Sequence, residues 1–263
     1  MLGAIIGDVI GSVYEFGNIK AKDFMLFAPG CNPTDDSIMT IAVALACLDT
    51  DCADEDSFKR ALIDRMHELG AEYPDAGYGG GFYRWLLHGL TEPYNSFGNG
   101  SAMRVSPVAW VAETLEDAEK FAEWSAEVTH NHPEGIKGAQ AVAAAIFLAR
   151  DGKSKDEIRA HIEEKYYDLD FTIDEIRPSY SFDVTCQGSV PQAIECFLES
   201  EDFEDAIRNA VSLGGDGDTQ AAIAGAIAEA YYGIPDDLSE KIMEYLDDTL
   251  SEYYWEWKEN YIE

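Results

Sequence analysis

Two short acidic clusters near opposite ends of the chain contain the residue types best suited to chemistry. The first is Thr34-Asp35-Asp36-Ser37, the second is Asp216-Gly217-Asp218-Thr219, and each leads into an apolar run. Carboxylates brought together in a fold would repel each other and lose hydration unless a cation compensated them. Oxygen ligands of this kind favour hard divalent ions such as Mg²⁺, Mn²⁺ or Ca²⁺. The clusters therefore predict a metal site assembled from both ends of the chain.

The same residues also have an ordinary structural interpretation, because Asp, Ser and Thr are frequent helix caps. One cap uses a single acid or hydroxyl, so the four residues at 34–37 exceed what capping needs. Asp216 and Asp218 would diverge on a helix, but in a glycine-rich turn both carboxylates can face one point. Metal binding is the favoured interpretation, and capping remains the alternative.

Three further features could contribute to a site. The turn Gly98-Asn99-Gly100-Ser101 could cradle a phosphate with its backbone N–H groups and the Ser101 hydroxyl, although an ordinary loop fits the same residues. His130 and His132 have a spacing seen at zinc sites, but no cysteine or third histidine completes the set, which favours hydrogen bonding or ligand contact. Glu15 ends an apolar helix and is either a solvated helix end or an acid at the rim of the core.

Composition limits the partners that the protein can bind. The 263 residues include 18 basic and 51 acidic side chains, giving a formal net charge of −33 that disfavours nucleic acids and anionic membranes.

Cysteine content and the N-terminal segment bear on the compartment. Five cysteines without a CxxC pair favour a reducing, cytoplasmic compartment. The apolar N-terminus carries Asp8 in its middle and lacks a basic lead-in, so a core helix is expected rather than a signal peptide. No apolar stretch approaches ~18 residues, so no membrane span is expected.

Helical periodicity dominates the chain and predicts an all-α fold as a single compact domain over residues 1–263. Alanine-rich, uniformly apolar helices at 38–48, 137–149 and 220–230 are expected in the interior. Residues 169–173 alternate weakly and could form a short extended connector. The predicted helices cover 2–14, 37–49, 55–70, 79–88, 101–112, 116–128, 134–151, 154–164, 189–199, 202–212, 219–232 and 236–258.

Together the motifs resemble the ADP-ribosylglycohydrolase family, which includes dinitrogenase reductase-activating glycohydrolase and ADP-ribosyl-acceptor hydrolases. Each matching segment alone is a modest signal, but five in the family's order over nearly the whole chain are specific. The segments are Gly3-Ala-Ile-Ile-Gly-Asp8 through Glu15, Thr34-Asp-Asp-Ser37, Phe97-Gly-Asn-Gly-Ser-Ala-Met-Arg104, Thr129-His-Asn-His132 and Gly214-Gly-Asp-Gly-Asp-Thr219.

The resemblance implies an orthogonal helical domain with two Mg²⁺ or Mn²⁺ ions at the base of a cleft. It implies a catalytic or gating role for Glu15, while Asp36 is the other candidate for proton transfer. His132 is implied to line an ADP-ribose cleft. The implied metal ligands are Thr34, Asp35, Asp36, Asp216, Asp218 and Thr219, and the implied diphosphate loop is Gly98, Asn99, Gly100 and Ser101.

The implied activity is hydrolysis of the bond between C1″ of ADP-ribose and an acceptor on a protein or small molecule. The acidic surface weakly favours a cationic acceptor such as arginine. Two alternatives stay open: a hydrolase of a free metabolite such as an acylated ADP-ribose, and a non-catalytic ADP-ribose-binding protein. Acceptor identity is expected to depend on the cleft mouth, predicted at residues 77–82, 94–97 and 180–187.

Overall fold

A computed structural model describes residues 1–261, and over these residues it contains fifteen α-helices and no β-strand. The only extended pairing within this range is an isolated bridge between Gly98 and Thr185. The all-α prediction is confirmed. The helices are α1 (Leu2–Gly11), α2 (Asp35–Thr50), α3 (Glu55–Glu72), α4 (Gly80–Leu87), α5 (Gly100–Met103), α6 (Ser106–Val111), α7 (Leu115–Glu127), α8 (Pro133–Arg150), α9 (Lys155–Lys165), α10 (Ile173–Ile176), α11 (Cys186–Leu198), α12 (Phe203–Leu213), α13 (Gly217–Tyr232), α14 (Asp236–Ile242) and α15 (Asp248–Tyr261).

The alanine-rich helices form the centre of the molecule, as their composition predicts. All residues of α1 and most residues of α2, α8 and α13 are buried, because small residues on their faces let neighbouring helices approach. Helices with mixed charge, such as α3 and α9, bury only an apolar stripe. None of the helices within residues 1–261 has the length and apolarity needed to cross a bilayer.

The closest helix contact joins α1 to α13. A Cβ atom added at Gly7 would lie 2.0 Å from the carbonyl oxygen of Ala221, and one added at Gly3 would lie 2.3 Å from that of Gly225. One added at Gly11 would lie 2.4 Å from the Cα atom of Asp218. The backbones therefore touch directly along three turns of α1, and this contact brings Asp8 on α1 beside the first turn of α13.

Two predicted helices are each divided in the structure. The segment 101–112 forms α5 and α6, because Pro107 has no N–H with which to continue a helix from α5. The segment 236–258 forms α14 and α15, because Asp247 accepts a hydrogen bond from Leu250 N at 2.9 Å and caps a new helix. Residues 169–173 form no strand and lead into the short α10.

Candidate active site

Acidic side chains from α1, α2 and α13 converge where these three helices meet. Asp8, Asp36 and Asp218 each offer a carboxylate oxygen within 4.8 Å of the others, and so do Glu15, Asp216 and Asp218. Asp218 belongs to both groups, so the two sets of oxygens adjoin. The two acidic clusters, which lie far apart in the sequence, are therefore adjacent in the structure.

Asp8 is a site residue that the motif reasoning did not assign. Its carboxylate is fully buried and accepts four hydrogen bonds from the start of α2. Thr34 donates its backbone N–H to Oδ2 at 2.9 Å and its hydroxyl to Oδ1 at 2.6 Å, while the backbone N–H of Ser37 donates to Oδ2 at 3.0 Å and its hydroxyl donates to the same oxygen. A lone acid in the middle of an apolar helix was the available signal. Asp8 fixes the first turn of α2 against α1.

Asp36 has the contacts expected of a cation ligand. The side chain is buried, and its Oδ2 accepts a hydrogen bond from the Thr219 hydroxyl at 3.2 Å. Its Oδ1 is also buried but has no hydrogen-bond partner. A carboxylate oxygen left without a donor in the interior is costly unless a cation contacts it. This orphaned oxygen and the all-oxygen set of donors around it fit a hard divalent ion.

Burial and mutual repulsion disfavour ionisation throughout the cluster. Burial, followed by the charge of Asp218, raises the pKa of Asp35 and of Asp36 well above the usual range. Burial raises the pKa of Asp216 to about 6, although the Asn99 amide opposes this shift. Glu15 is half-buried, and burial followed by the charges of Asp218 and Asp8 raises its pKa to about 7. The protein alone therefore provides too little positive charge to keep these carboxylates ionised. A bound cation would supply that charge.

The loop between α1 and α2 is held against the turn that precedes α13. The Asn18 side-chain oxygen accepts a hydrogen bond from Gly215 N. Lys20 donates to the carbonyl oxygens of Leu213 and Tyr180, the latter at 2.6 Å. These contacts anchor the segment that follows Glu15, so its carboxylate stays close to the acidic end of α13.

The glycine-rich turn lies on the same cleft as the acidic cluster. Asn99 connects the two, because its side-chain amide donates to Asp216 Oδ2 at 2.6 Å and to the Ser189 hydroxyl at 3.2 Å. Ser101 differs from its predicted role. Its buried hydroxyl donates to the carbonyl oxygen of Gly135 at 2.7 Å and is not part of the cleft lining. Of the predicted loop, Gly98, Asn99 and Gly100 face the cleft.

The histidine on the cleft is His130 rather than His132. The His132 ring accepts a hydrogen bond from Glu134 N at 3.1 Å and caps α8, and its ring packs on Phe97. It is not among the cleft-lining residues, whereas His130 is, with its ring beside Gly100. The sequence itself indicates that His132 is the helix cap, since the residue before a proline that begins a helix is commonly the N-cap.

The cleft has a volume of about 420 Å³. Parts of the three segments predicted for its mouth line the cleft, at 77–82, 94–96 and 182–184. Phe16 and Phe182 stack at this mouth, with ring centroids 6.2 Å apart and an interplanar angle of 26°. The predicted site residues that line the cleft are Glu15, Thr34, Asp35, Asp36, Gly98, Asn99, Gly100, Asp216, Asp218 and Thr219.

Comparison with known proteins finds a matching family and relatives that cover most of this chain. The family model described as ADP-ribosylglycohydrolase matches residues 1–261. A human protein named ADP-ribosylhydrolase ARH3 is 31% identical, over 89% of this chain and 84% of its own length. A Pseudomonas putida protein named ADP-ribosylarginine hydrolase Tri1 is 27% identical, over 92% of this chain and 72% of its own.

A solved structure titled ADP-ribosylglycohydrolase-related protein complex superimposes with a TM-score of 0.65 at 21% identity, covering 96% of each chain. At that identity the superposition demonstrates a common fold. The family model and the relatives named as hydrolases place the chain in a class of hydrolases. The chain belongs to the ADP-ribosylglycohydrolase family.

Proposed function

We propose that this protein hydrolyses the bond between C1″ of ADP-ribose and an acceptor, with two divalent cations, Mg²⁺ or Mn²⁺, held by its acidic cluster. One observation carries the proposal. The acidic cluster and the glycine-rich turn line a single cleft and are joined by the hydrogen bond from Asn99 to Asp216. A phosphate cradle beside a cluster of cation ligands suits a ligand that carries both a diphosphate and a hydroxylated ribose.

The chain's own residues divide into two roles. Gly98, Asn99 and Gly100 contact the diphosphate in the cleft. Gly100 supplies the backbone N–H donor, because the N–H groups of Gly98 and Asn99 are already bonded to Ser96 Oγ at 3.1 Å and to the Val184 carbonyl oxygen at 2.8 Å. The adjoining acidic cluster binds the cations, and its proposed ligands are Thr34, Asp35, Asp36, Asp216, Asp218 and Thr219. When bound, divalent cations orient hydroxyl groups and lower the pKa of a coordinated water.

Proton transfer falls to a carboxylate in the cluster. Glu15 and Asp36 both line the cleft, and both lie within the groups of converging carboxylates. Of the two, Glu15 is the more accessible, since Asp36 is almost fully buried and one of its oxygens is already bonded to Thr219. We assign Glu15 the contact with the acceptor side of the scissile bond, where a side chain can accept or donate a proton.

Arginine is the proposed acceptor. The net charge of −33 favours approach of a guanidinium group, and the relative Tri1 carries arginine in its name. The cleft mouth itself contains the exposed aromatic rings of Phe16 and Phe182, on whose faces a planar cation can pack.

The proposal is tested by incubating the protein with ADP-ribosyl-arginine, ADP-ribosyl-serine and an O-acyl-ADP-ribose, each with Mg²⁺, with Mn²⁺ and with EDTA. We expect metal-dependent release of ADP-ribose, fastest from the arginine conjugate. Asp218→Asn should abolish release, whereas Asp64→Asn, a matched change on the exposed side of α3, should not. Binding of ADP-ribose without release from any conjugate would mark a non-catalytic binder and overturn the proposal.

A further inference from the structure

A chain of three polar side chains runs beneath the glycine-rich turn. Arg104 Nη2 donates to the Thr129 hydroxyl at 2.8 Å, and the Thr129 hydroxyl contacts His130 Nδ1 at 2.7 Å. Arg104 and Thr129 are essentially inaccessible to solvent, while His130 is 5% exposed and lines the cleft. The chain therefore links a buried cation to a ring that faces the ligand space.

The direction of the hydrogen bonds in this chain is determined by its first member. A guanidinium group only donates, so the Thr129 oxygen accepts from Arg104 and keeps its own proton. Within residues 1–261, His130 Nδ1 is the only recorded acceptor within reach of that proton. A buried hydroxyl proton without an acceptor is costly, so Thr129 donates to Nδ1. His130 Nδ1 is then unprotonated, and the proton of the neutral ring is on Nε2.

The other ring nitrogen faces the glycine-rich turn. A Cβ atom added at Gly100 would lie 3.2 Å from His130 Nε2, and one added at Gly98 would lie 3.6 Å from it. Within residues 1–261 the His130 ring has a protein hydrogen-bond partner at Nδ1 only, so the Nε2 N–H is available to a ligand. Burial, followed by the charge of Arg104, lowers the pKa of His130 well below its usual range, which keeps the ring neutral.

We propose that Thr129 and Arg104 are positioning residues that hold His130 in the Nε2-protonated tautomer, so that this N–H donates to an anionic oxygen of the diphosphate bound at Gly98–Gly100. The inference rests on the proposed function for the identity of that ligand. Arg104 also borders the cleft, but its side chain is 1% exposed. Its Nη2 is shared between the Thr129 hydroxyl and the Ser125 carbonyl oxygen, so we assign its role through Thr129. In the opposite tautomer, the nitrogen facing the diphosphate would be an acceptor and would repel it.

The tautomer can be measured without any substrate. Long-range ¹H–¹⁵N spectra of the ¹⁵N-labelled protein distinguish protonated from unprotonated ring nitrogens, and His130→Gln identifies the His130 signals by their loss. We expect Nε2 to be protonated and Nδ1 unprotonated across neutral pH. A proton on Nδ1 in the wild-type protein would overturn the assignment, whatever the outcome of the hydrolysis assays.

The contribution to binding is measured with ADP-ribose by calorimetry. Thr129→Val removes the hydroxyl at nearly constant shape and should weaken ADP-ribose about tenfold, the effect of one lost hydrogen bond. Thr129→Ser retains the hydroxyl and should restore both the tautomer and the affinity. Thr50→Val, which removes a hydroxyl bonded to Ala46 O away from the cleft, is the matched control.

Four outcomes are informative. Unchanged affinity in Thr129→Val, or a failure of Thr129→Ser to behave like the wild-type protein, would overturn the positioning role. If Thr129→Val does not fold, the wild-type tautomer and the Thr129→Ser affinity still decide the question. If the wild-type protein binds no ADP-ribose, the proposed function fails, while the tautomer measurement separately reports whether the Arg104–Thr129–His130 chain is correct.

Discussion

The side-chain amide of Asn99 donates to Asp216 Oδ2 at 2.6 Å and so connects the glycine-rich turn to the acidic cluster. The bond joins α5 to the N-cap of α13, two segments distant in sequence. It partly offsets the effect of burial on the Asp216 carboxylate. The two halves of the cleft are therefore connected by one side chain.

Removing this connection should affect both halves. Asn99→Ala leaves a buried carboxylate oxygen without its donor, which costs about 2 kcal/mol for a bond to a charged group. We expect the unfolding free energy from urea denaturation to fall by that amount, and kcat/KM for the best conjugate to fall about tenfold or more. Ser189→Ala is the control, because it removes the second partner of Asn99 and retains the bond to Asp216. Equal losses in both variants would contradict a specific role for the Asp216 bond.

Divalent cations should stabilise the folded protein. A ligand that binds only the native state adds about 2.7 kcal/mol to the unfolding free energy when its free concentration is a hundred times its Kd. We expect Mg²⁺ or Mn²⁺ to raise the melting temperature and EDTA to reverse the effect. The response should be lost in Asp218→Asn and retained in Asp64→Asn. A cation response in Asp218→Asn as large as that of the wild-type protein would argue against the converging carboxylates as the site.

Asp8 should control cation affinity through its hold on α2. In Asp8→Asn, one of the acceptor oxygens becomes an amide that faces a donor, so the contacts to Thr34 and Ser37 cannot all persist. Residues that orient metal ligands typically change metal affinity 10- to 100-fold when replaced. Calorimetric titration with Mn²⁺ should give a Kd weaker by about that factor, and an unchanged Kd would exclude this role.

The contact between α1 and α13 should tolerate no added methyl group. In Gly7→Ala the new Cβ would overlap the backbone of Ala221, and overpacking of this kind costs ~1–3 kcal/mol. Gly80→Ala is the control, since nothing lies within 4 Å of a Cβ at that helical position. Urea denaturation should show reduced stability for Gly7→Ala alone. Equal stability of the two variants would mean that the helices can separate at little cost.

Patterns that act locally were readable from the sequence. Apolar periodicity predicts the buried helices, and the clustered acids at 34–37 and 216–219 indicate where the carboxylates converge. The breaks at Pro107 and Asp247 were missed because the apolar pattern continues through them, whereas the actual limits depend on a missing N–H and a capping carboxylate.

Side-chain direction was harder to read. His130 and His132 lie two residues apart, and only the start of α8 at Pro133 decides which ring caps the helix and which enters the cleft. Ser101 belongs to the predicted loop, yet its hydroxyl turns inward to Gly135 because α8 passes directly behind the turn. The direction of such a side chain depends on packing between segments distant in sequence, and a local motif contains no information about that packing.

The glycine contact between α1 and α13 also bears on how the protein can vary. At Gly7 and Ala221 the spacing of the two helices is set by main-chain atoms, whose dimensions are the same in every sequence. Substitutions elsewhere in the core can change side-chain volumes without altering the distance between Asp8 and Asp218. The polypeptide backbone thus sets the spacing within the acidic cluster, and the sequence of the surrounding core can vary without changing it.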